Sequence, residues 1–133
     1  MLLDWNSQAV LDRETGLVWE QALRATTHGW LQARVTCTNQ TTGNRKGWWL
    51  PSVHELASLV DTANLNPSLP TGHPFTNVQS AVQSAGYWSA TTVADLTTFA
   101  WDVHFNFGNE RNTEKAIVGH VWCVRGAMNV EVY

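Results

Sequence analysis

Long apolar runs, excess positive charge and clustered cysteines are all missing from this sequence of 133 residues. Because no run of about 18 apolar residues occurs, we expect no membrane insertion. The net charge of −3 argues against a nucleic-acid partner, since such partners usually require a basic surface. No signal segment follows Met1, so we expect either that a secretion signal lies outside these residues or that the chain is not secreted on its own. The length suits one domain, residues 1–133, with a single hydrophobic core.

The only cysteines are Cys37 and Cys123, and neither belongs to a Cys-x-x-Cys motif or a Cys/His cluster. This spacing argues against a zinc site. Two interpretations remain at this point, a long-range disulfide and two buried free thiols. The five histidines also lack the spacing of metal ligands, so we expect them on the surface or in loops.

Tryptophan, by contrast, is abundant, with eight copies in the chain. A tryptophan side chain offers a large contact area at a low entropic cost, so it serves both hydrophobic cores and binding surfaces. We expect about two thirds of these side chains to be buried in the core.

A helix start is marked most clearly by Ser52 and Glu55, which have the spacing of a capping box. Each side chain of such a pair accepts a hydrogen bond from a free backbone N–H of the first turn. The residues that follow predict a helix over about 53–63. Its apolar stripe consists of Val53, Leu56, Ala57, Leu59 and Val60.

Alternation of apolar and polar residues predicts the longest strand, residues 99–107. Its odd-numbered positions are all apolar, which predicts one buried and one polar face. The other predicted elements are a hairpin (9–20), a helix (27–38), a long ordered loop (64–86) and strands at 121–125 and 130–132. This order indicates an α+β domain in which two helices flank a small, mostly antiparallel sheet.

Four segments resemble one known family in the same order. Residues 48–56 (WWLPSVHEL) are similar to its Trp-Arg-Leu-Pro-Thr-x-x-Glu-Leu core, and residues 12–19 (DRETGLVW) to its Asp-x-x-Thr-Gly-Leu-x-Trp hairpin. Residues 87–91 (YWSAT) resemble its Tyr-Trp-Ser-Ser-Thr, and residues 100–126 its closing strands. The family is the C-terminal domain of bacterial collagen-like adhesins, the Lcl C-terminal domain family, which is placed in the C-type-lectin-like superfamily. The resemblance covers residues 9–126.

This resemblance implies a loop-rich C-type-lectin-like domain of a secreted, periplasmic or cell-surface protein. Because the closing strand of such domains lies against the first helix, it favours a Cys37–Cys123 disulfide over two free thiols, in an oxidising compartment. It also implies that Phe75 returns from the long loop to the core.

The late segment, residues 106–120, lies on the ligand face of lectin-like domains, and loops held by rigid strands often carry binding residues. The expected aromatic platform is Trp101 or Trp122. The polar ligand contacts that we expect are Asn109, Glu110, Arg111, Asn112 and Glu114. An ordinary exposed hairpin loop is the competing interpretation.

Two tryptophans replace arginines of the family pattern, Trp49 in the Trp-Arg-Leu-Pro segment and Trp122 before Cys123. A ligand held by those arginines is therefore not to be assumed for this chain. The two indoles either pack on each other or build a flat apolar patch.

Catalysis has little support in the sequence, and we expect no enzyme activity. Asp102 and His104 share a strand face, but no nucleophile-elbow sequence surrounds Ser89. We expect no cofactor, although a calcium ion is a candidate for a group of oxygen-bearing side chains. That group is Asp95, Asp102, Asn106, Asn109, Glu110, Asn112 and Glu114.

The resulting hypothesis is a non-enzymatic recognition module that binds a glycan or an extracellular protein. One alternative is a structural module that caps or trimerises a fibrous adhesin, as a homo-oligomer without a ligand. A second is a relative of the formylglycine-generating oxidases, which would require both thiols to be free and reactive.

Overall fold

The computed structural model describes residues 2–5, 8–42, 46–81 and 85–126. The helices are α1 (Trp30–Thr38) and α2 (Val53–Ala57). The strands are β1 (Leu2–Trp5), β2 (Ala9–Asp12), β3 (Leu17–Glu20), β4 (Tyr87–Val93), β5 (Leu96–His104), β6 (Asn109–Glu114) and β7 (Val124–Gly126).

These strands form two antiparallel sheets. One has four strands in the order β1–β2–β3–β7, and the other has three in the order β4–β5–β6. The expected α+β, C-type-lectin-like arrangement, with two helices flanking one small sheet, is therefore wrong. The domain is mostly β, with helices of nine and five residues.

Both helices are shorter than predicted. The backbone of His28 exchanges two hydrogen bonds with that of Gly119, so the chain is held extended until the N-cap at Gly29. The Ser52–Glu55 capping box is confirmed. Beyond Ala57 the hydrogen bonds change to i→i+3, from Leu59 to Leu56 and from Val60 to Ala57, so the predicted stripe continues as a tight turn.

The predicted hairpin at residues 9–20 is confirmed as the β2–β3 pair. Gly16 has a φ of 74°, a left-handed conformation that glycine adopts without steric cost. The predicted strand at 121–125 is reduced to β7, and the suggested strand at 130–132 lies outside the described residues.

Two clusters of buried side chains stabilise the fold, and each draws on both sheets. In the four-stranded sheet, Val10 and Trp19 contribute to the first cluster and Val18 to the second. In the other sheet, Tyr87 contributes to the first cluster and Trp88 to the second. Strands β3 and β4 therefore bury side chains on both faces, which explains why their buried residues do not follow a simple inside–outside alternation.

The disulfide between Cys37 and Cys123 is confirmed, with a Cα–Cα distance of 5.4 Å. It joins the buried face of α1 to the residue before β7, and both cysteines are fully buried. The oxidase alternative needs two free thiols, a condition that this bonded pair does not meet.

Burial of tryptophan also follows the expectation. Of the seven tryptophans whose side chains are described, five are buried, Trp101 is half-buried and Trp49 is 40% exposed. The long loop returns Phe75 to the first cluster, as the resemblance implies.

Candidate functional site

The β5–β6 hairpin organises most of the predicted binding residues. Strand β5 ends at His104, because Gly108 turns the chain back with a φ of 81° and donates its N–H to the His104 carbonyl at 2.8 Å. Phe107 consequently lies in the turn and is 58% exposed. The predicted apolar face thus ends at Phe105, which is buried in the first core cluster.

The predicted polar contacts of the ligand loop lie on a strand. Residues 109–114 form β6, which pairs along its length with β5. Each of the five predicted polar contacts is exposed on this strand. Because successive side chains of a strand point to opposite faces, the structure divides these residues into two sets.

The first set surrounds Trp101 and is called the Trp101 face. Asn112 lies directly opposite Trp101 in the β5–β6 register, while Glu110 and Glu114 lie two residues to either side of Asn112. Trp101 is half-buried and packs against the first core cluster, whereas the three polar side chains are exposed. The face therefore combines a supported indole with an amide and two carboxylates.

The second set is Asn109 and Arg111, and Arg111 lines a cleft on the opposite face of β6, called the Arg111 cleft, with a volume of about 510 Å³. Arg111 lies opposite Asp102 in the register, and Asn109 lies opposite His104 at the end of the strand. Thr113, Ile117 and Val118 also line the cleft, with Gly86 across from them. The Trp101 face and the Arg111 cleft thus share one strand but open in different directions.

Asp102 is the most buried polar side chain of this cleft, at 3% exposure. The Thr113 hydroxyl donates a hydrogen bond to its Oδ1 at 3.1 Å. Burial raises the pKa of the Asp102 carboxyl, and the Thr113 hydrogen bond and the Arg111 charge only partly oppose that shift. The alternation of residues 99–107 predicts a polar face for this side chain, and it does not reveal that the side chain is buried.

His104 and Arg111 form a hydrogen-bonded pair at the side of the cleft. The Arg111 Nη2 group donates to His104 Nε2, because a guanidinium has no acceptor. Burial lowers the pKa of His104, and the charges of Arg111 and His120 lower it further. His104 is therefore neutral near pH 7 and carries its proton on Nδ1 when it accepts this bond.

Trp122 is fully buried, so it does not serve as the surface platform that the sequence suggested as one option. Its indole N–H donates to the Glu20 carbonyl at 3.0 Å. Trp49 instead lies at the surface and donates to Glu55 Oε1 at 3.2 Å. The two indoles that replace family arginines thus form no joint apolar patch. The rings packed around Trp122 are Trp19, Phe75, Tyr87 and Phe105.

Ser89, the serine considered for a catalytic triad, has a structural hydrogen-bonding role. Its hydroxyl donates to the Trp101 carbonyl at 2.7 Å and accepts from the Thr91 N–H. It is also fully buried. These contacts fix the start of β4 against β5.

Among the candidate calcium ligands, Asn106 is buried and donates to the Ser80 carbonyl at 2.8 Å. In the described ranges, no group of three or more His, Cys, Asp or Glu side chains is arranged to hold a metal ion. The expectation of no cofactor, with calcium as a candidate, stays a prediction.

Three histidines predict how stability changes with pH. Burial is the largest cause of a lowered pKa at His73, His104 and His120. On unfolding, each returns to its ordinary pKa of about 6.5, so the unfolded chain binds more protons below that pH. We therefore expect the free energy of unfolding, measured by urea titration, to fall between pH 7.5 and pH 5.5.

The variant His73→Gln/His104→Gln provides the comparison for this experiment, because it removes two of the three groups. Its stability should change less between the two pH values than that of the wild type. Burial raises the pKa of Asp102, so this carboxyl acts in the opposite direction, but it is one group against three histidines. If the free energy of unfolding of the wild type rose from pH 7.5 to pH 5.5, the unfolded chain would not bind more protons than the folded one, which would contradict the prediction.

Comparison with known proteins agrees with the resemblance seen in the sequence. The sequence model of the Lcl C-terminal domain matches residues 8–125, nearly the whole chain. A search of curated proteins found no match. Within the part of the chain that the structure describes, no helix is long and apolar enough to cross a membrane. The matched family fits a domain of a surface or adhesin-type protein. The extent of the match shows that the chain belongs to the Lcl C-terminal domain family.

Proposed function

We propose that this domain is a non-enzymatic recognition module that binds neutral carbohydrate through the Trp101 face. The observation that carries the proposal is the position of Trp101 directly opposite Asn112 on the exposed β5–β6 hairpin. An indole face packs well against the C–H surface of a sugar ring, and an adjacent amide both donates to and accepts from hydroxyl groups. The two groups together suit a carbohydrate better than a purely apolar ligand.

Rigidity of the site supports the same function. Trp101 lies on the central strand of its sheet and packs on the first core cluster, so its indole loses little freedom when a ligand binds. Ser89 also holds the Trp101 carbonyl from the neighbouring strand. Binding groups supported by sheet and core are positioned more accurately than groups on free loops.

Charge on the Trp101 face favours neutral over anionic sugars. Glu110 and Glu114 are both exposed on the same side as Asn112. Their carboxylates accept hydrogen bonds from sugar hydroxyls, but they repel sulfate and uronate groups. The net charge of −3 acts in the same direction at longer range.

The proposed location is secreted, periplasmic or cell-surface. The buried Cys37–Cys123 disulfide is typical of proteins that fold in oxidising compartments. The match to an adhesin-type domain family supports an extracellular interaction.

A glycan array with neutral and anionic members tests the proposed function, run with and without a chelator. Trp101→Ala and Asn112→Ala should each weaken binding of neutral glycans at least tenfold, because stacking and hydroxyl contacts are lost. Trp49→Phe is the matched control, since Trp49 is exposed but remote from the hairpin register. Circular dichroism must show that each variant is folded.

Three outcomes would count against carbohydrate binding by this face. Equal binding by wild type and Trp101→Ala would exclude the indole platform, and preferential binding of sulfated glycans would contradict the charge argument. A trimer in solution that buries β6, together with no glycan binding, would favour the structural module instead. Loss of binding with the chelator would add calcium to the site.

A further inference from the structure

We propose that the Arg111 cleft binds the carboxylate group of a small organic acid whose aliphatic part packs on Ile117 and Val118. This site lies on the other face of β6 from the Trp101 face, so the inference does not rest on carbohydrate binding. It depends on three observations. These are the hydrogen-bond partner of Arg111, the burial of the Asp102 carboxyl, and the exposed apolar side chains of the cleft.

The Arg111 guanidinium keeps most of its hydrogen-bonding capacity. Across the described residues, its hydrogen-bond partner is the neutral His104 ring, and no Asp or Glu oxygen lies within salt-bridge distance of it. A guanidinium has five N–H donors in a planar fork, and its best partner is a carboxylate bound by two parallel hydrogen bonds. Arg111 is also exposed, so a ligand can reach it.

The negative group of the cleft is covered, which leaves the cation as the accessible charge. Asp102 is 3% exposed, and its Oδ1 accepts from the Thr113 hydroxyl. A Cβ atom built on Gly86 would collide with Asp102 Oδ2, so this oxygen lies tightly against the glycine backbone. Burial also raises the pKa of the carboxyl, which reduces its charge when another anion approaches.

The cleft that contains the Arg111 guanidinium also has exposed apolar side chains. Ile117 and Val118 both line the cleft, and they are 53% and 50% exposed. An aliphatic group placed against them would bury apolar surface that water now covers. The volume of about 510 Å³ falls within the usual range for small-ligand sites, roughly 300–1,000 Å³.

A neutral sugar fits this cleft less well than a carboxylate does. Sugar hydroxyls need both donors and acceptors, but the carboxylate acceptor of the cleft, Asp102, is buried behind Thr113 and Gly86. The exposed charged group of the cleft, Arg111, only donates. A carboxylate uses those donors without needing an acceptor from the protein.

The test uses three probes that differ in one feature each: N-acetyl-leucine, its neutral amide N-acetyl-leucinamide, and acetate. Binding is followed by ¹⁵N–¹H spectra of the whole chain, including the Arg111 side-chain Nε–H. We expect N-acetyl-leucine to bind with a Kd of roughly 1–5 mM, the range for a ligand of this size. The amide, which loses the ionic contact, and acetate, which loses the apolar one, should each bind about tenfold more weakly.

Variants separate the cation from general effects of charge. Arg111→Gln should remove measurable binding of N-acetyl-leucine, whereas Arg111→Lys should keep part of it, because a lysine is cationic but lacks the fork. Arg13→Gln is the matched control, since it removes an exposed arginine from the β2–β3 turn and should leave the Kd unchanged. Equal affinity for acid and amide, unchanged binding by Arg111→Gln, or no shift near the cleft at about 20 mM acid would each overturn the proposal. None of these results depends on whether glycans bind the Trp101 face.

Discussion

Replacing both cysteines with alanine is expected to lower the free energy of unfolding by roughly 4–5 kcal/mol, the largest effect that we predict for any change in this domain. The Cys37–Cys123 bond closes a loop over a sequence separation of 86 residues. In the chain-entropy model, such a loop removes much of the freedom of the unfolded chain. Because both sulfur atoms are buried, their loss also removes packing around α1 and β7.

Urea denaturation at pH 7.5 measures this effect, with the wild type in its oxidised and reduced forms as comparisons. The reduced wild type should unfold at nearly the same urea concentration as Cys37→Ala/Cys123→Ala, because both lack the cross-link. A loss of less than about 1.5 kcal/mol would show that the disulfide constrains the unfolded chain much less than its loop length implies.

Trp122→Ala is expected to have the second largest effect, a loss of about 3–5 kcal/mol. The Trp122 side chain is fully buried, and ring centroids of Phe75 and Phe105 lie 4.8 Å and 5.4 Å from its own. Alanine would leave a large cavity where residues of both sheets meet. It would also leave the Glu20 carbonyl without the indole N–H that now donates to it at 3.0 Å.

Trp122→Phe and Trp49→Ala define the controls for this measurement. Phenylalanine keeps most of the buried ring, so its loss should be smaller than that of alanine. Trp49 is 40% exposed, and its removal should change stability by less than about 1 kcal/mol. If Trp122→Ala and Trp49→Ala had equal effects, Trp122 would not be the centre of the core. Glycan binding by a folded Trp122→Phe protein should remain intact.

Local signals in the sequence were sufficient for several elements. The β2–β3 hairpin is bounded by turn residues, and Gly16 adopts the left-handed conformation that the turn needs. The Ser52–Glu55 capping box depends on four consecutive residues, so it follows from the sequence alone. The disulfide needed the family resemblance, because no local pattern joins residues 86 positions apart.

Helix length and strand β6 could not be predicted in the same way. Beyond Ala57 the hydrogen bonds of α2 change to i→i+3, and the Asp61 N–H then donates to the Ser68 carbonyl; helical periodicity does not reveal either change. Strand β6 is polar on both faces, so it lacks the alternation that marks a half-buried strand. Its pairing with β5 supplies the stability that its composition does not.

The sequence therefore predicts residues of the candidate site but not their arrangement. Trp101 and Asn112 were both identified from the sequence, and the register brings them together. Arg111 was assigned to the same group, although strand alternation places it in a separate cleft with Asp102. The burial of Asp102 could not be read from its own strand, because residues from other parts of the chain cover that face.

One measurement tests the central claim most directly: the indole N–H resonances of all eight tryptophans, observed during titration with a neutral glycan that binds the domain. Each indole reports its own surroundings, so the spectrum locates the ligand without any substitution. We predict that the Trp101 resonance shifts most, and that those of buried Trp19 and Trp122 stay in place. A dominant shift at Trp49, or binding that leaves Trp101 unchanged, would contradict recognition through the Trp101 face.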